Sequence, residues 1–275
     1  MKVGSLFTGY GGLDMAVGGE LSWYSEIDKS ACKVLEQLHP GVRNLGDITQ
    51  IVWAKVERVD VITGGYPCQP FSVAGRRGGK NDNRHLWPFV RDAIAELRPE
   101  RVILENVRGH LSLGFSEVLM DLADLGFDAE WGTYKASDVG APHNRNRLFI
   151  VAHPNSCGHG KQQDTKGMEN VDGCYAFETQ DRKRSRTIPH AGGTWGKYEP
   201  AIRRWEAFTR EAPEPTVAYA DKRRLNPVFV EWMMGLPAGH VTGHGLSAAK
   251  ELKMLGNGVV PQQAAAAIGA LMVRS

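Results

Sequence analysis

Cysteine is scarce in this sequence, with four residues in a chain of 275, at positions 32, 68, 157 and 174. So few and such widely spaced cysteines do not form the disulfide framework of a secreted domain, so we expect reduced thiols. Long apolar runs are also absent, and none approaches the roughly 20 residues that a membrane-spanning helix requires. The N-terminus enters a strand-like stretch at once, without room for a secretory leader. We therefore expect a cytoplasmic protein with no membrane partner.

The sequence also lacks a strong charge of one sign. Lysine and arginine total 33 residues and aspartate and glutamate 31, for a net charge of +2. This balance neither excludes nor requires a nucleic-acid partner, because positive charge concentrated locally decides such binding. Hydrophobic residues make up 42% of the chain, enough at this length for one sizeable core and a smaller appended unit.

Short β-rich runs alternate with helical patterns through the first half of the chain. The pattern predicts strands at residues 3–7, 23–27, 59–63, 101–104 and 148–152, with helices at 29–38 and 89–97. Strands separated by helices favour an α/β fold with a doubly wound, mainly parallel sheet.

The composition changes after residue 152. Residues 153–220 are rich in polar side chains and glycine, show little periodicity, and carry the basic run at 182–186. Helical patterns return at 226–234 and at 264–273, just after Pro261. We predict a main domain at 1–152, a small separate domain at 153–220, and a segment at 221–275 that returns to the main domain.

Glycines and carboxylates follow the predicted strands. Residues 9–12 (Gly-Tyr-Gly-Gly) follow the first strand, Glu26 ends the second, and Asp47 comes after a third candidate strand. Glycines let the backbone approach a ligand at this edge of a sheet, and a carboxylate there accepts hydrogen bonds from ribose hydroxyls. The pattern suits a cofactor containing adenosine, although a tight turn without a ligand explains the glycines equally well.

Three further positions have the chemistry of a reactive site. Cys68 follows the strand at 59–63 in a turn bracketed by glycines and prolines, where a thiol is more often reactive than buried. Glu105 ends the strand at 101–104 and is a candidate acid beside that thiol, although it suits a neighbouring helix N-terminus too. Arg145 and Arg147 precede the strand at 148–152 and share one face, unless they are only solvated charges.

His153, Cys157, His159 and Cys174 do not follow a regular metal-ligand spacing, and we expect no metal site.

In sum these motifs resemble those of the DNA cytosine C5-methyltransferases. Residues 7–12 resemble the first cofactor motif, 26–28 the second and 46–48 the third, while 67–70 (Pro-Cys-Gln-Pro), 105–107 (Glu-Asn-Val) and 145–147 (Arg-Asn-Arg) resemble the nucleophile, acid and arginine motifs. Residues 224–237 and 256–261 resemble the last two. Only residues 153–220, in the place of the family's target-recognition domain, remain unmatched.

The resemblance implies a methyltransferase fold that uses S-adenosylmethionine, and it implies a mechanism. Cys68 would add to C6 of a flipped cytosine while Glu105 holds N3 and the exocyclic amine and Arg145 binds the O2 carbonyl, with Arg147 in the same catalytic set. The cofactor residues would be Phe7, Gly9, Gly11, Gly12, Glu26, Ile27, Asp47, Ile48, Pro67, Leu86 and Asn257. The expected DNA contacts are Gln69, Ser72, Arg76, Arg77, Arg182, Arg184 and Arg186.

Double-stranded DNA is the partner that the resemblance implies, with the protein acting as a monomer. It leaves open whether a restriction endonuclease accompanies the protein. One alternative is a transfer RNA cytosine C5-methyltransferase with the same motifs, and another is an inactive DNA-binding regulator, which retention of Cys68, Glu105 and Arg145 disfavours. His143 stands where the family commonly has Gln, and we expect it to alter local hydrogen bonding more than chemistry.

Overall fold

A computed structural model describes residues 1–67, 86–155, 195–219 and 222–273. Its strands are β1 (Lys2–Leu6), β2 (Glu20–Ser25), β3 (Arg43–Asn44), β4 (Val61–Gly64), β5 (Arg101–Val107), β6 (Phe127–Lys135), β7 (Asn146–Pro154), β8 (Thr216–Tyr219) and β9 (Lys222–Leu225). Its helices are α1 (Gly12–Val17), α2 (Lys29–Leu38), α3 (Trp87–Leu97), α4 (Phe115–Asp124), α5 (Glu199–Glu206), α6 (Pro227–Met233), α7 (Ala248–Asn257) and α8 (Pro261–Met272).

One mixed sheet organises the described residues, with the strand order β3-β2-β1-β4-β5-β7-β6. The first five strands of that order pair in parallel, whereas β7 is antiparallel to both β5 and β6. The central strands β4 and β5 are apolar on both faces because helices cover both sides of the sheet. The predicted α/β fold with a mainly parallel, doubly wound sheet is confirmed.

The two faces of the sheet bury separate clusters. On one face, Val3, Val61 and Ile103 pack against α1 and α8. On the other face, alternate residues such as Ile62 and Leu104 pack against α3 and α4. Because side chains alternate along a strand, both helix layers are fixed by the same short strands. The loops that follow the parallel strands lie at the carboxyl ends of these strands, between the two helix layers.

A third cluster joins α2 to the C-terminal helices α6 and α7 and also takes in α5. Trp205 of α5 is fully buried, and its indole N–H donates to the Trp232 carbonyl at 2.9 Å. The Trp195 ring stacks on Phe229 at 5.6 Å. Thus residues 195–206 pack against the C-terminal segment. The predicted division at 152 and 220 stays a prediction, since residues 156–194 lie outside the described ranges.

Several boundaries differ from the sequence-based prediction, although those of α2 agree with it. The predicted helix at 29–38 coincides with α2, whose first turn is capped by the Asp28 carboxylate. The strand predicted at 101–104 continues to Val107, so Glu105 lies inside β5 rather than after it. The reason is that antiparallel β7 extends the ladder, pairing Glu105 with Phe149. Within the described ranges, no helix has both the length and the apolar character needed to span a bilayer.

Candidate active site

The turn after β1 brings the backbone against the C-terminal part of the chain. Gly9 and Gly11 have φ of 59° and 78°, in the left-handed region that favours glycine. A Cβ on Gly12 would lie 2.4 Å from the Val259 carbonyl oxygen, and a Cβ on Gly258 would lie 1.9 Å from the Tyr10 ring. The Tyr10 hydroxyl donates to that same carbonyl at 2.6 Å. Side chains are thus excluded at both glycines by the close approach of two segments that are distant in sequence.

A cavity of about 430 Å³ opens at the carboxyl ends of the central strands. Ligand pockets for small molecules and cofactors have volumes in this range. Glu26, which follows β2, lies at the cavity, and so does Glu105 of β5. Of the predicted cofactor residues, the cavity is lined by Phe7, Gly9, Gly12, Glu26 and Asn257. The others, which do not line it, are Gly11, Ile27, Asp47, Ile48, Pro67 and Leu86.

The residues outside the lining have other environments. Gly11 is the N-cap of α1, and Ile48 is buried in the sheet core. Asp47 caps a 3-10 turn by accepting from the Thr49 backbone N–H at 2.9 Å. Ile27 is 68% exposed directly after Glu26. Their assignment to the cofactor stays a prediction.

The Glu26 carboxylate already accepts three backbone hydrogen bonds. Oε1 accepts from the N–H groups of Ile27 and Asp28, and Oε2 accepts from that of Gly9, all at 2.8 Å. A carboxylate offers about four acceptor positions, two on each oxygen. One position on Oε2 therefore remains for a ligand hydroxyl. The backbone contacts also fix the orientation of the carboxylate relative to the glycine turn.

Glu105 is a buried carboxyl at the cavity, and its Oε1 forms an ion pair with Arg147 Nε at 2.9 Å. Burial raises the pKa of Glu105 to about 7, against the opposing effects of the Arg147 and Arg145 charges. Desolvation outweighs the ion pair here because little water reaches the carboxyl. Near neutral pH the group is therefore present in both protonation states, as a general acid and base requires.

Asn106, the next residue, is connected to the segment that leads to Cys68. Its side-chain amide donates to the Tyr66 carbonyl at 3.0 Å within the protein interior. The Tyr66 hydroxyl and His110 Nε2 are 2.9 Å apart, and the Tyr66 ring lies against Trp87. The Tyr66 backbone is therefore held to β5, and its side chain is held to the turn after β5 and to α3.

The two arginines before and within β7 have different partners. Arg145 Nη2 donates to the carbonyl oxygens of Gly256 and Gly258, at 2.9 and 2.5 Å. Arg147 pairs with Glu105 instead. The two guanidinium groups remain near enough that the charge of Arg147 lowers the pKa of Arg145, in addition to the larger effect of burial. Hence Arg147 contacts the candidate acid, and Arg145 holds the strap of residues 256–259 that lines the cavity.

His143, in the place of the family's usual Gln, is hydrogen-bonded through Nε2 to the Met233 carbonyl oxygen at 3.0 Å. Burial is the main reason why its pKa lies below the usual value. A neutral imidazole donates from one nitrogen, so this contact assigns the proton to Nε2. The ring thus connects the start of the arginine motif to α6.

Some predicted residues lie outside the described ranges, and their contacts stay predictions. They are Cys68, Gln69, Ser72, Arg76, Arg77, Arg182, Arg184 and Arg186.

Sequence patterns did not single out Asp14 or two cavity lysines. Asp14 of α1 lines the cavity with Ser5 and Thr63, and Lys250 and Lys253 of α7 line it from another side. Ser5 and Thr63 are buried polar residues inside strands whose other buried residues are apolar or glycine, which was the available signal for a polar cluster. Their common partner was not evident because it lies on a separate helix.

A model of a known protein family matches most of the chain. The model of the C-5 cytosine-specific DNA methylase family matches residues 1–189. The chain belongs to this family. The type II methylase M.HgiEI of Herpetosiphon aurantiacus is 40% identical over 157 residues, which are 53% of this chain and 36% of that protein. The type II methyltransferase M.NlaX of Neisseria lactamica is 33% identical over 164 residues, 56% of this chain and 52% of that protein.

The orphan methyltransferase M.SPRI of Bacillus phage SPR is 34% identical over 163 residues, 55% of this chain and 37% of that protein. The chain therefore matches only about a third to a half of the length of these family members. Among solved structures, the Dnmt2 methyltransferase of S. pombe superposes with a TM-score of 0.68 at 16% identity, covering 100% of this chain and 99% of that one. The Entamoeba histolytica methyltransferase EhMeth gives 0.65 at 18%, covering 100% and 98%. These two similarities concern the fold.

Proposed function

We propose that this protein is a DNA cytosine C5-methyltransferase that uses S-adenosylmethionine and attacks cytosine through Cys68. The observation that carries the proposal is the buried Glu105, with a pKa of about 7, at the cavity and next to Arg147. It is followed by Asn106, which holds the chain two residues before Cys68. A titrating acid, together with a cysteine two residues after a segment held to the same strand, suits addition to a nitrogen heterocycle.

The residues around the cavity fit S-adenosylmethionine. The volume of the cavity suits a nucleoside-sized ligand. The remaining acceptor position on Glu26 suits one ribose hydroxyl. Ile27 offers an exposed apolar side chain beside Glu26 for the adenine ring. When bound, the cofactor supplies an electrophilic methyl group. Phe7, Gly9, Gly12 and Asn257 would enclose it.

Glu105 serves as the acid in this proposal. In its protonated form the carboxyl donates to N3 of the cytosine ring, and its second oxygen accepts from the exocyclic amine. Protonation at N3 withdraws electrons from C6, where the Cys68 thiolate adds. The new S–C6 bond makes C5 nucleophilic, so C5 would take the methyl group as its bond to the sulfonium sulfur breaks, and the cofactor would leave as neutral S-adenosylhomocysteine. A base then removes the C5 proton, and the S–C6 bond breaks to restore the aromatic ring.

We assign the O2 carbonyl of the cytosine to Arg147 rather than to Arg145. Arg147 contacts Glu105, and in this proposal Glu105 binds N3 and the exocyclic amine, which lie on the same Watson–Crick edge of the base as O2. Arg145 instead uses Nη2 to hold the Gly256 and Gly258 carbonyls. Its part is therefore to position the strap at the cavity, a positioning role rather than contact with the base.

Double-stranded DNA is the proposed substrate, because the family model that matches is that of the C-5 cytosine-specific DNA methylases, and the relatives are named as a type II methylase and a type II methyltransferase. Because the ring atoms of a stacked cytosine are inaccessible, the target base has to be flipped into the site. Arg182, Arg184 and Arg186 are proposed phosphate or guanine contacts. Association with a restriction endonuclease and action as a monomer remain part of the proposal.

Expression in a host without cytosine methylation tests the function. We expect bisulfite sequencing of host DNA to show methylation in one sequence context with the wild type and none with Cys68→Ser. The matched control is Cys32→Ser, which changes a half-buried thiol on α2 and should keep full methylation. Methylation that persists in Cys68→Ser contradicts the mechanism. Methyl label found in RNA and absent from DNA assigns the enzyme to the transfer RNA alternative.

A covalent adduct tests the nucleophile directly. Duplex DNA with 5-fluorocytosine at the target position should trap the wild type in a complex that survives denaturation, since fluorine blocks the final elimination. Cys68→Ser should form none, while Cys32→Ser should form as much as the wild type. An adduct with Cys68→Ser assigns the attack to another residue.

A further inference from the structure

We propose that Asp14 binds the α-ammonium group of the cofactor's amino-acid part, an inference that rests on the proposed use of S-adenosylmethionine. Asp14 Oδ2 accepts from the Ser5 hydroxyl at 2.8 Å, and Oδ1 accepts from the Thr63 hydroxyl. Ser5 and Thr63 are register partners in the parallel pair β1 and β4, so their hydroxyls lie side by side. The two strands thus present one carboxylate, on α1, to the cavity.

The carboxylate of Asp14 lacks a cation. In the part of the chain that the structure describes, Asp14 forms no ion pair, and the only charged neighbour acting on it is His39, with the smallest of the contributions. Burial, the largest effect, raises the pKa of Asp14 even though its side chain is reached from the cavity. A buried carboxylate held only by neutral hydroxyls is stabilised when a cation binds next to it. Each carboxylate oxygen keeps an acceptor position for an N–H donor.

The position of Asp14 along the sheet edge identifies which part of the cofactor it meets. The strand order β2-β1-β4-β5 places Asp14, at β1 and β4, between Glu26 after β2 and Glu105 in β5. Under the proposed function, the ribose binds at Glu26 and the transferred methyl points toward the cytosine at Glu105. The amino-acid part is the third substituent of the same sulfur. It therefore falls at the middle strands, where Asp14 lies.

Apart from Glu26 and Glu105, which the proposed function assigns to the ribose and the cytosine, the charged side chains of the cavity are already paired or of the wrong sign. The Asp28 carboxylate forms an ion pair with Lys253 at 3.2 Å and also caps α2. Lys29 and Lys250 line the cavity as cations. Asp14 is thus the carboxylate that an ammonium group can use without displacing a lysine. The positively charged sulfonium of S-adenosylmethionine is the alternative cation for Asp14. Ligands with a neutral sulfur, with and without the ammonium group, distinguish the two.

Calorimetric titration of wild type and Asp14→Asn with three ligands tests the assignment. S-adenosylhomocysteine carries the ammonium group and a neutral sulfur, methylthioadenosine has a neutral sulfur and no amino-acid part, and S-adenosylmethionine carries both charges. We expect Asp14→Asn to weaken binding of S-adenosylhomocysteine by roughly tenfold or more, since a charge-assisted hydrogen bond becomes a neutral one. Binding of methylthioadenosine should change by less than about twofold. Its retention also shows that the variant is folded.

The matched control is Asp28→Asn, which removes a second cavity carboxylate and should affect S-adenosylhomocysteine and methylthioadenosine alike. Three results overturn the assignment: equal losses for both ligands in Asp14→Asn, a loss confined to S-adenosylmethionine, or the same selective loss in Asp28→Asn. Wild-type protein that binds methylthioadenosine as tightly as S-adenosylhomocysteine overturns it too while leaving the proposed cofactor in place. Wild-type protein that binds none of the three ligands removes both proposals.

Discussion

Replacement of Glu105 by glutamine should make the stability of the protein less sensitive to pH. Its carboxyl has a pKa of about 7 in the folded protein, against 4.5 for an ordinary glutamate. Burial is the main cause, so the folded state prefers the proton more strongly than the unfolded chain does. Below about pH 4.5 the group is protonated in both states, and its favourable effect is complete. That effect is lost as the pH rises through 7.

The size of the effect follows from the two pKa values. Each pKa unit corresponds to about 1.4 kcal/mol, so charging Glu105 costs roughly 3 kcal/mol more in the folded protein than in the unfolded chain. Between pH 5 and pH 8, the wild type should lose about 2.5 kcal/mol of unfolding free energy through this group. Glu105→Gln has no carboxyl to charge. Relative to the wild type, the variant should therefore gain that amount over the same interval.

Urea unfolding at pH 5, 6, 7 and 8, at constant ionic strength, measures the difference. Most of the relative gain should appear between pH 5 and pH 7, where the folded protein keeps the proton that the unfolded chain has released. Glu100→Gln removes an exposed carboxyl and serves as the control for the loss of a carboxylate that is not buried. A constant offset for Glu105→Gln would falsify the argument that burial outweighs the Arg147 ion pair.

Two further substitutions test contacts made by the C-terminal segment, one at the cavity and one in the interior. Gly258→Ala should lose about 1–3 kcal/mol of unfolding free energy, since its Cβ overlaps the Tyr10 ring. The control Gly256→Ala has open space around its Cβ and should be neutral or slightly stabilising. Equal urea midpoints for the two variants would contradict the overlap. Glu231→Ala should lose at least about 3 kcal/mol, because this fully buried carboxylate accepts three backbone N–H groups and a threonine hydroxyl. A loss below about 1 kcal/mol in the same titration would show that water replaces the carboxylate.

The sequence predicts best where local signals agree. The bounds of α2 follow from the Asp28 cap and an amphipathic pattern. By contrast, β6 and α4 were not predicted. The strand β6 is half exposed along its length and has no continuous apolar run, and its pairing with β7 is what establishes it. Pairing also explains why β5 is longer than its apolar core.

Prediction of the site residues from the sequence is limited in the same way, because local signals do not report tertiary contacts. Glu26 and the glycine turn were predicted because each follows a strand, and strand ends meet at one edge of a parallel sheet. Asp14 was not predicted, since its importance depends on the register that aligns Ser5 with Thr63. Nor does residue spacing distinguish the partners of Arg145 and Arg147. That distinction comes from where residues 256–259 pass, a tertiary relation absent from the local sequence.

The contact between Tyr10 and Val259 spans 249 positions of the chain. During synthesis, the glycine turn and Glu26 emerge well before Asn257, so the cavity has no wall on that side until this later segment has also been made. Closing so long a loop is slow and costly in entropy. A ligand that needs both walls binds only after the two segments have been made and have come together, and its binding energy stabilises that closure. Cofactor supply would thus influence how much of the newly made chain reaches its folded form.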